Sequence, residues 1–296
     1  MDIRAITRRR TLIIAEIGQN HQGDMEIAKE LIRQAKLSGA DAVKSQKRDI
    51  ASLLTPEEYA REYTSRHAFA STYGKHREYL ELSRAQYEEL RDFAGQLGIC
   101  FFSSPWDVPS ARLLHDIGMP WFKIPSACLT HHVLLEEIAS YGKPIILSTG
   151  MSTLDEIDAA MKVLERADDV YLLQCTSSYP SEFGDINLRV IPALAERYPW
   201  ATIGFSGHHR GIAVDVAAVT LGARVIERHF TLDRTMKGSD HAASLEPPGI
   251  ARLVRDVRAT ELALGDGIKR VYEAEVPVRH KLRGVKMVTK LGSEAA

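Results

Sequence analysis

The sequence predicts a (β/α)8 TIM barrel of the α/β class, and three observations lead there. Apolar strand-like runs alternate with helical patterns eight times, the arrangement of an all-parallel sheet. Polar residues of the kinds that do chemistry fall at the downstream ends of those runs, and in a parallel barrel all such ends open onto one face. The length of 296 residues exceeds the roughly 250 of a minimal barrel by enough for an insertion and a tail.

In chain order, TLIIA is the first strand and leads to Glu16, with a helix over 24–38. ADAV leads to Lys44 and Gln46, and residues 47–83 then form a long, polar, aromatic-bearing loop before a helix at 84–97. ICFF leads to Ser103 and Ser104, with a helix at 107–117, and WFKI carries Lys123 towards Ser126, with a helix at 130–141. PIIL ends at Ser148 and Thr149 before a helix at 153–166, and VYLLQC ends at Thr176 before one at 186–197. ATIGF leads to Ser206 and His208 with a helix at 211–221, and ARVI leads to Glu227 and His229 with a helix at 247–264. Strand ends border loops and are polar for that reason alone, which accounts for the serines. Lysines, glutamates and histidines gathered on one set of ends need a further reason. An open doubly wound sheet is the competing architecture, but it places a GxGxxG turn after its first strand, and IGQNHQG is not one.

The barrel is expected over 1–268 with the insertion at about 47–83, and 269–296 as a C-terminal tail or linker too short for a second domain. Loops as long as the insertion are usually lids or binding elements. This one carries Arg61, Arg66, His67, Lys75, His76 and Arg77, which read either as a solvated helical face or as a cap over the distal, phosphorylated end of a substrate.

Composition narrows the function. With 38 basic against 39 acidic residues the net charge is -1, so no single-signed field points to nucleic acid or to an anionic membrane. Arg8, Arg9 and Arg10 before TLIIA imitate a secretory leader, but Glu16 cuts the run short of the about 7 to 15 apolar residues such leaders need. No stretch approaches the about 18 apolar residues of a membrane span. Cys100, Cys128 and Cys175 are far apart and outside metal-ligand spacing, as expected of reduced thiols in the cytoplasm.

Two sets of residues suggest chemistry. His208 and His229 end adjacent strands of a barrel, where two imidazoles can share one divalent ion and leave positions for water and substrate; each is equally readable as a neutral hydrogen-bonded residue. Glu16, on the strand that closes the ring beside the eighth, is a candidate ligand or base. Lys44, Lys123, Ser126, Ser148 and Ser206 resemble a cradle for a small, highly anionic substrate. A Schiff-base lysine at Lys123 is the rival chemistry, and the histidine pair weighs against it.

The stretches IIAEIGQNHQGD, GADAVKSQK, FKIPSACLT, KPIILSTGMST, LLQCTSSYP, NLRVI, IGFSGHHRGIAVDVAAVTLGARVIERHFTLDRTMKGSDHAASLEP and ELALGDG resemble, in order, the sialic acid synthase family over about residues 11–268. That family condenses phosphoenolpyruvate with N-acylated aminosugars or related hexoses to nine-carbon 2-keto-3-deoxy acids. The resemblance implies a divalent ion, Mn2+ or Mg2+, held by His208 and His229. It implies phosphoenolpyruvate contacts at Lys44, Lys123, Ser126, Ser148 and Ser206, a glutamate near the metal at Glu16, and sugar contacts at Gln46, Tyr179 and Asp240. Ser104 is grouped with the substrate contacts, and Ser178 falls where some members carry an asparagine. Many members continue into a small antifreeze-like domain that reaches across a homodimer to the N-acetyl group; this sequence ends where that domain begins, which leaves the acceptor sugar open. The insertion resembles that of the animal-type branch, which takes 6-phosphorylated mannose derivatives. The expected reaction is therefore condensation with N-acetylmannosamine 6-phosphate to N-acetylneuraminate 9-phosphate. The alternatives are the same chemistry on mannose 6-phosphate, or a non-catalytic barrel acting as a binding subunit.

Overall fold

Period-two alternation sends one set of strand side chains into a closed barrel and the other set out beneath the helices. The computed structural model describes residues 2–288. In it α1 (Ile3–Arg9) precedes β1 (Leu12–Gly18), and α2 (Met25–Leu37) returns to β2 (Ala42–Lys47). Then come α3 (Ile50–Leu53), α4 (Pro56–Ala60), α5 (Tyr73–Leu80), α6 (Arg84–Leu97), β3 (Cys100–Pro105), α7 (Val108–Asp116), β4 (Phe122–Ile124) and α8 (His132–Ala139). The chain continues through β5 (Ile145–Ser148), α9 (Leu154–Leu164), β6 (Val170–Cys175), α10 (Val190–Arg197), β7 (Thr202–Gly207), α11 (Ala213–Thr220), β8 (Val225–His229) and α12 (Pro247–Leu264). The eight strands pair in sequence order, all parallel, and β1 pairs with β8 to close the barrel. This is the (β/α)8 fold expected.

Outward residues such as Ile13, Ala15, Val43, Phe122, Leu147 and Ile226 pack with the helices into one large core. Inward ones, Leu12, Ile14, Ala42, Phe102, Trp121, Ile146, Tyr171 and Val225, fill the barrel interior. Ile3 of α1 joins this second cluster and is fully buried, so α1 packs against the barrel filling, a burial worth about 2 kcal/mol. The sequence reading has no counterpart to α1. Seven residues are too few to show a helical period, and the helix is started by a local device, the Asp2 carboxylate accepting from Ala5 N.

The insertion is helical rather than a loop. Asp49, Thr55 and Thr72 cap α3, α4 and α5, Thr55 in a reciprocal pair with Glu58. It is fastened to the barrel at Glu81, whose Oε2 accepts from Lys47 Nζ at 2.8 Å and from Arg48 N at 3.1 Å. At its far side His67 Nδ1 accepts from Gly238 N at 3.2 Å in the loop after β8.

The compact barrel unit runs to Glu261, somewhat short of the expected 268, and a second unit begins at Leu262. That unit contains a single turn at Glu273–Glu275 and α13 (Val276–Val288), so the expected tail is helical there. Its residues 289–296 lie outside those described.

Candidate active site

The inward alternation that fills the barrel with Leu12, Ile14, Ala42 and Phe102 continues upward into polar residues. Two positions further along each strand lie Glu16, Lys44 and Ser104; Lys123, Ser148, Cys175, Ser206 and Glu227 occupy the equivalent places. The ladders bring them together: Glu16 is in register with Lys44 on one side and His229 on the other, Cys175 with Ser206, and Ser206 with Glu227. All but Ser104 surround a cavity of about 220 Å³ lined by Glu16, Lys44, Gln46, Lys123, Ser148 and Ser206 together with both histidines. A groove of about 950 Å³ between α9 and α10 is larger, but its lining has no lysine or histidine; it meets the cavity at Met151, Cys175 and Ser177.

The cradle is assembled from charges that water does not reach. Lys123 Nζ donates to Ser148 Oγ at 2.7 Å and to Ile124 O at 3.3 Å, and lies 3.7 Å from Glu227 Oε1. Ser206 Oγ donates to the same Glu227 oxygen at 3.1 Å. Lys44 Nζ donates to Ser104 Oγ at 3.0 Å, pairs with Glu16, and stands 4.0 Å from Glu227 Oε2. Burial favours the neutral acid at Glu227, yet Lys123 and Lys44 outweigh it and hold the carboxyl at about 2. Burial pulls Lys44 down to about 7, against Glu227 and with the help of Lys123 and Arg48. Gln46 Nε2 donates to Glu16 Oε1 at 3.3 Å, and Gly18, at φ +41°, leaves room for both: a Cβ there would sit 2.8 Å from that oxygen and 3.2 Å from that nitrogen.

Beside the cradle the rings of His208 and His229 are 5.2 Å apart, with Tyr179 4.1 Å from His208 and 5.7 Å from His229. His208 Nδ1 hydrogen-bonds Thr176 O at 2.8 Å, an arrangement that puts the proton on Nδ1 and leaves Nε2 as a donor atom for a metal. Burial lowers His229 to about 3, against the pull of Asp240, so its imidazole is neutral; its Nδ1 is buried without a hydrogen-bond partner among the described residues. Burial opposes the charged form of His208, but Cys175 and the Thr176 carbonyl outweigh it and raise it above its ordinary value; a divalent ion would replace that proton, and the two rings, 5.2 Å apart, fit one. No group of three or more His, Cys, Asp or Glu is placed to hold one among the described residues, so remaining positions would fall to water and substrate.

Most residues expected at the site are brought together: Glu16, Lys44, Gln46, Lys123, Ser126, Ser148, Tyr179, Ser206, His208 and His229 all line the cavity. Three stand elsewhere. Ser104 is fully buried behind the wall as the acceptor for Lys44. Asp240 is set back, its Oδ2 3.8 Å from His229 Nδ1, in a narrow cleft under the insertion. Ser178 is exposed and offers Ser181 its backbone carbonyl, while its neighbour Ser177 lines the cavity instead. Of the insertion's basic residues, Arg61, Arg66 and Lys75 are exposed; His76 is buried and, at about 4, neutral. Arg77 reaches the barrel mouth, donating to Gln19 Oε1 at 2.9 Å. Glu227 appears in the sequence as one more strand-end polar residue with no role; its central place between two lysines emerges from barrel closure.

Residues 31–269 match the model of the NeuB family. The chain belongs to that family. Among curated NeuB-type relatives, human N-acetylneuraminate-9-phosphate synthase is 45% identical over 280 residues, covering 94% of this chain and 78% of the human protein. N,N'-diacetyllegionaminic acid synthase of Campylobacter jejuni is 41% identical over 272 residues, 90% of this chain and 81% of that one. Among solved structures, N-acetylneuraminic acid (sialic acid) synthetase from Leptospira borgpetersenii superposes with a TM-score of 0.80 at 31% identity, covering 93% of both chains. The NeuB match spans every strand from β2 to β8 and so takes in both lysines of the cradle and both histidines.

Proposed function

We propose that this barrel condenses phosphoenolpyruvate with N-acetylmannosamine 6-phosphate, forming N-acetylneuraminate 9-phosphate and inorganic phosphate. The observation that carries the reading is the buried cradle of Lys44, Lys123, Ser148 and Ser206 set against the His208–His229 pair in one cavity. The human relative, named for this product, supports the choice of acceptor.

Each residue has work that its position allows. Lys44 and Lys123 neutralise the phosphate and carboxylate of phosphoenolpyruvate, while the Ser148 and Ser206 hydroxyls supply directional bonds that a point charge lacks. Glu227, 3.7 Å from Lys123 Nζ and 4.0 Å from Lys44 Nζ, gives both lysines a counter-charge at the cavity wall. A divalent ion bound by His208 and His229, Mn2+ or Mg2+, would polarise the aldehyde of the open-chain sugar. C3 of phosphoenolpyruvate uses its C2–C3 π pair to bond to that aldehyde carbon, leaving C2 electron-deficient, and the aldehyde oxygen becomes a hydroxyl with the proton released by the water that adds to C2. Glu16, held by Gln46 and Lys44, is placed to orient the water that adds to C2. Phosphate leaves that carbon by C–O cleavage, and the lysine cradle bears the departing charge; each well-aimed donor is worth about 3 kcal/mol in such a transition state. A cytoplasmic homodimer completes the reading, and three free, buried thiols fit a reducing compartment.

The test is phosphate release from phosphoenolpyruvate with N-acetylmannosamine, mannose and the 6-phosphates of both, with and without chelator. Chelator-sensitive release with N-acetylmannosamine 6-phosphate is the expected result. Release with mannose 6-phosphate alone would reassign the acceptor, and no release with any of them would make the barrel a binding subunit.

A further inference from the structure

Arg48, immediately after β2, is a buried cation with unfinished bonding. Its Nη2 donates to Gln46 Oε1 at 2.6 Å and its guanidinium lies 3.8 Å from the centre of the Trp106 ring, but Nη1 is buried and has no hydrogen-bond partner among the described residues. Glu81 Oε1 is 3.9 Å away, too far to bond, and the other oxygen of Glu81 already serves Lys47 and the Arg48 backbone. A second unmet donor lies on β1's side. Gln19 spends its carbonyl on Arg77 Nη1 at 2.9 Å, and its Nε2 is buried without a partner among the described residues. Arg77 is oriented by its Nε bond to Tyr73 OH at 3.0 Å, and its charge adds to burial in pressing Arg48 down to about 10. Two cations, with one unmet donor on Arg48 and another on the neighbouring Gln19, favour an anion that accepts from several directions.

We propose that Arg48, Arg77 and Gln19 form the subsite for the terminal phosphate of a phosphorylated hexose acceptor. The inference rests on reading the barrel as a phosphoenolpyruvate-condensing enzyme. Continuity with the cavity supports it: Gln46 and Trp106 both line the cavity, so Arg48 is one hydrogen bond behind its wall. Asp240 gives the direction. Its Oδ2 is 3.8 Å from His229 Nδ1, and it lines the narrow cleft under the insertion together with Gln19. Asp240 therefore connects the histidine pair to Gln19, on which Arg77 is anchored. A sugar whose aldehyde meets the histidines and whose phosphate meets the arginines passes its hydroxyls over that carboxylate. Lys44 and Lys123 remain for phosphoenolpyruvate.

The experiment compares N-acetylmannosamine 6-phosphate with N-acetylmannosamine in the wild type, Arg77→Gln, Arg77→Lys and Arg48→Gln. Turnover is one readout; acceptor binding by calorimetry is the other, with folding checked by circular dichroism. The expected result is a fall of about a hundredfold in the ratio of kcat/KM for the phosphorylated over the free sugar in Arg77→Gln, and a partial recovery in Arg77→Lys. An unchanged ratio, or equal losses for both sugars, overturns the subsite. If the wild type turns over neither sugar, mannose 6-phosphate and mannose take their place, and with no turnover of any of the four the condensing reading fails. The subsite is then judged on binding alone: it stands if Arg77→Gln weakens binding of the 6-phosphate selectively, and falls otherwise. Arg77, half-buried, keeps the test decisive should Arg48→Gln not fold.

Discussion

Arg228 Nη2 donates to the backbone carbonyl of His209 at 2.6 Å, so the outward face of β8 grips the loop that carries His208. Its Nη1 donates to Gly211 O at 2.8 Å and pairs with Asp215 at 2.5 Å, every side chain involved being buried. The neighbours of Arg228 on β8 are Glu227 and His229, so one guanidinium fixes both histidine-bearing segments relative to each other. Arg228→Met leaves the Asp215 carboxylate buried without its cation, a loss of about 3–5 kcal/mol of stability that denaturant unfolding measures. Because His208 is loosened relative to His229, the Mn2+ concentration for half-maximal activity should also rise, by about tenfold. Unchanged Mn2+ dependence in a folded variant would separate Arg228 from the histidine pair.

Lys123→Met removes a fixed cation from the phosphoenolpyruvate cradle and leaves Ser148 without its donor. The expected loss in kcat/KM for phosphoenolpyruvate is about a hundredfold, near 3 kcal/mol of transition-state binding, with the acceptor KM little changed. Borohydride treatment of the wild type with pyruvate is the companion measurement. A trapped adduct on Lys123 would restore the Schiff-base chemistry and displace the role assigned to this lysine.

Gly150 is constrained by space. Its N–H donates to Ser126 Oγ at 3.0 Å, and a Cβ on it would lie 2.1 Å from Ser177 Oγ and 2.9 Å from Ser126 Oγ. Both serines line the cavity. Gly150→Ala pushes one or both out of place, so the KM for phosphoenolpyruvate should rise about tenfold while the far-ultraviolet spectrum is kept. Ser177→Ala, combined with Gly150→Ala, frees the space and should recover part of the loss.

What was legible in the sequence follows from which physical signals are local. Eight strands and their helices were readable because periods of two and 3.6 are properties of short windows, and Glu16, Lys44, Lys123, Ser148 and Ser206 stood out as polar residues at the downstream ends of the apolar runs, where strand alternation aims them inward. That rule fails where the strand ends. Beyond Cys175 the chain turns, and whether Ser177 or Ser178 faces the cavity depends on the turn rather than on alternation. The insertion's helices, four to eight residues long, show no period, so they read as loop. Glu227 takes its importance from Ser206 and Lys44, far away in the sequence, contacts that exist only once the barrel closes, and Arg48 from Glu81 and Trp106, brought beside it by the insertion and by the loop after β3.

Acid should loosen the barrel mouth before it unfolds the whole. His21 and His76 are each held neutral by burial, at about 4, and each uses Nδ1 to accept a backbone N–H, His21 from Gly23 at 3.0 Å and His76 from Phe69 at 3.2 Å. A proton on Nδ1 breaks those bonds. Because the folded pKa lies below the unfolded value of 6.5, the unfolded chain binds the proton more readily, and stability falls as pH drops from about 6.5 to about 4. The loss approaches about 3 kcal/mol for each histidine at the bottom of that window. His76 stacks between Tyr63 and Phe69 in the insertion, so amide exchange there, corrected for intrinsic rate, should accelerate over this range ahead of exchange in β5 and β6. His76→Gln should flatten part of the pH dependence, since Gln offers an acceptor that does not titrate; an identical acid profile in that variant would assign the lability to other groups.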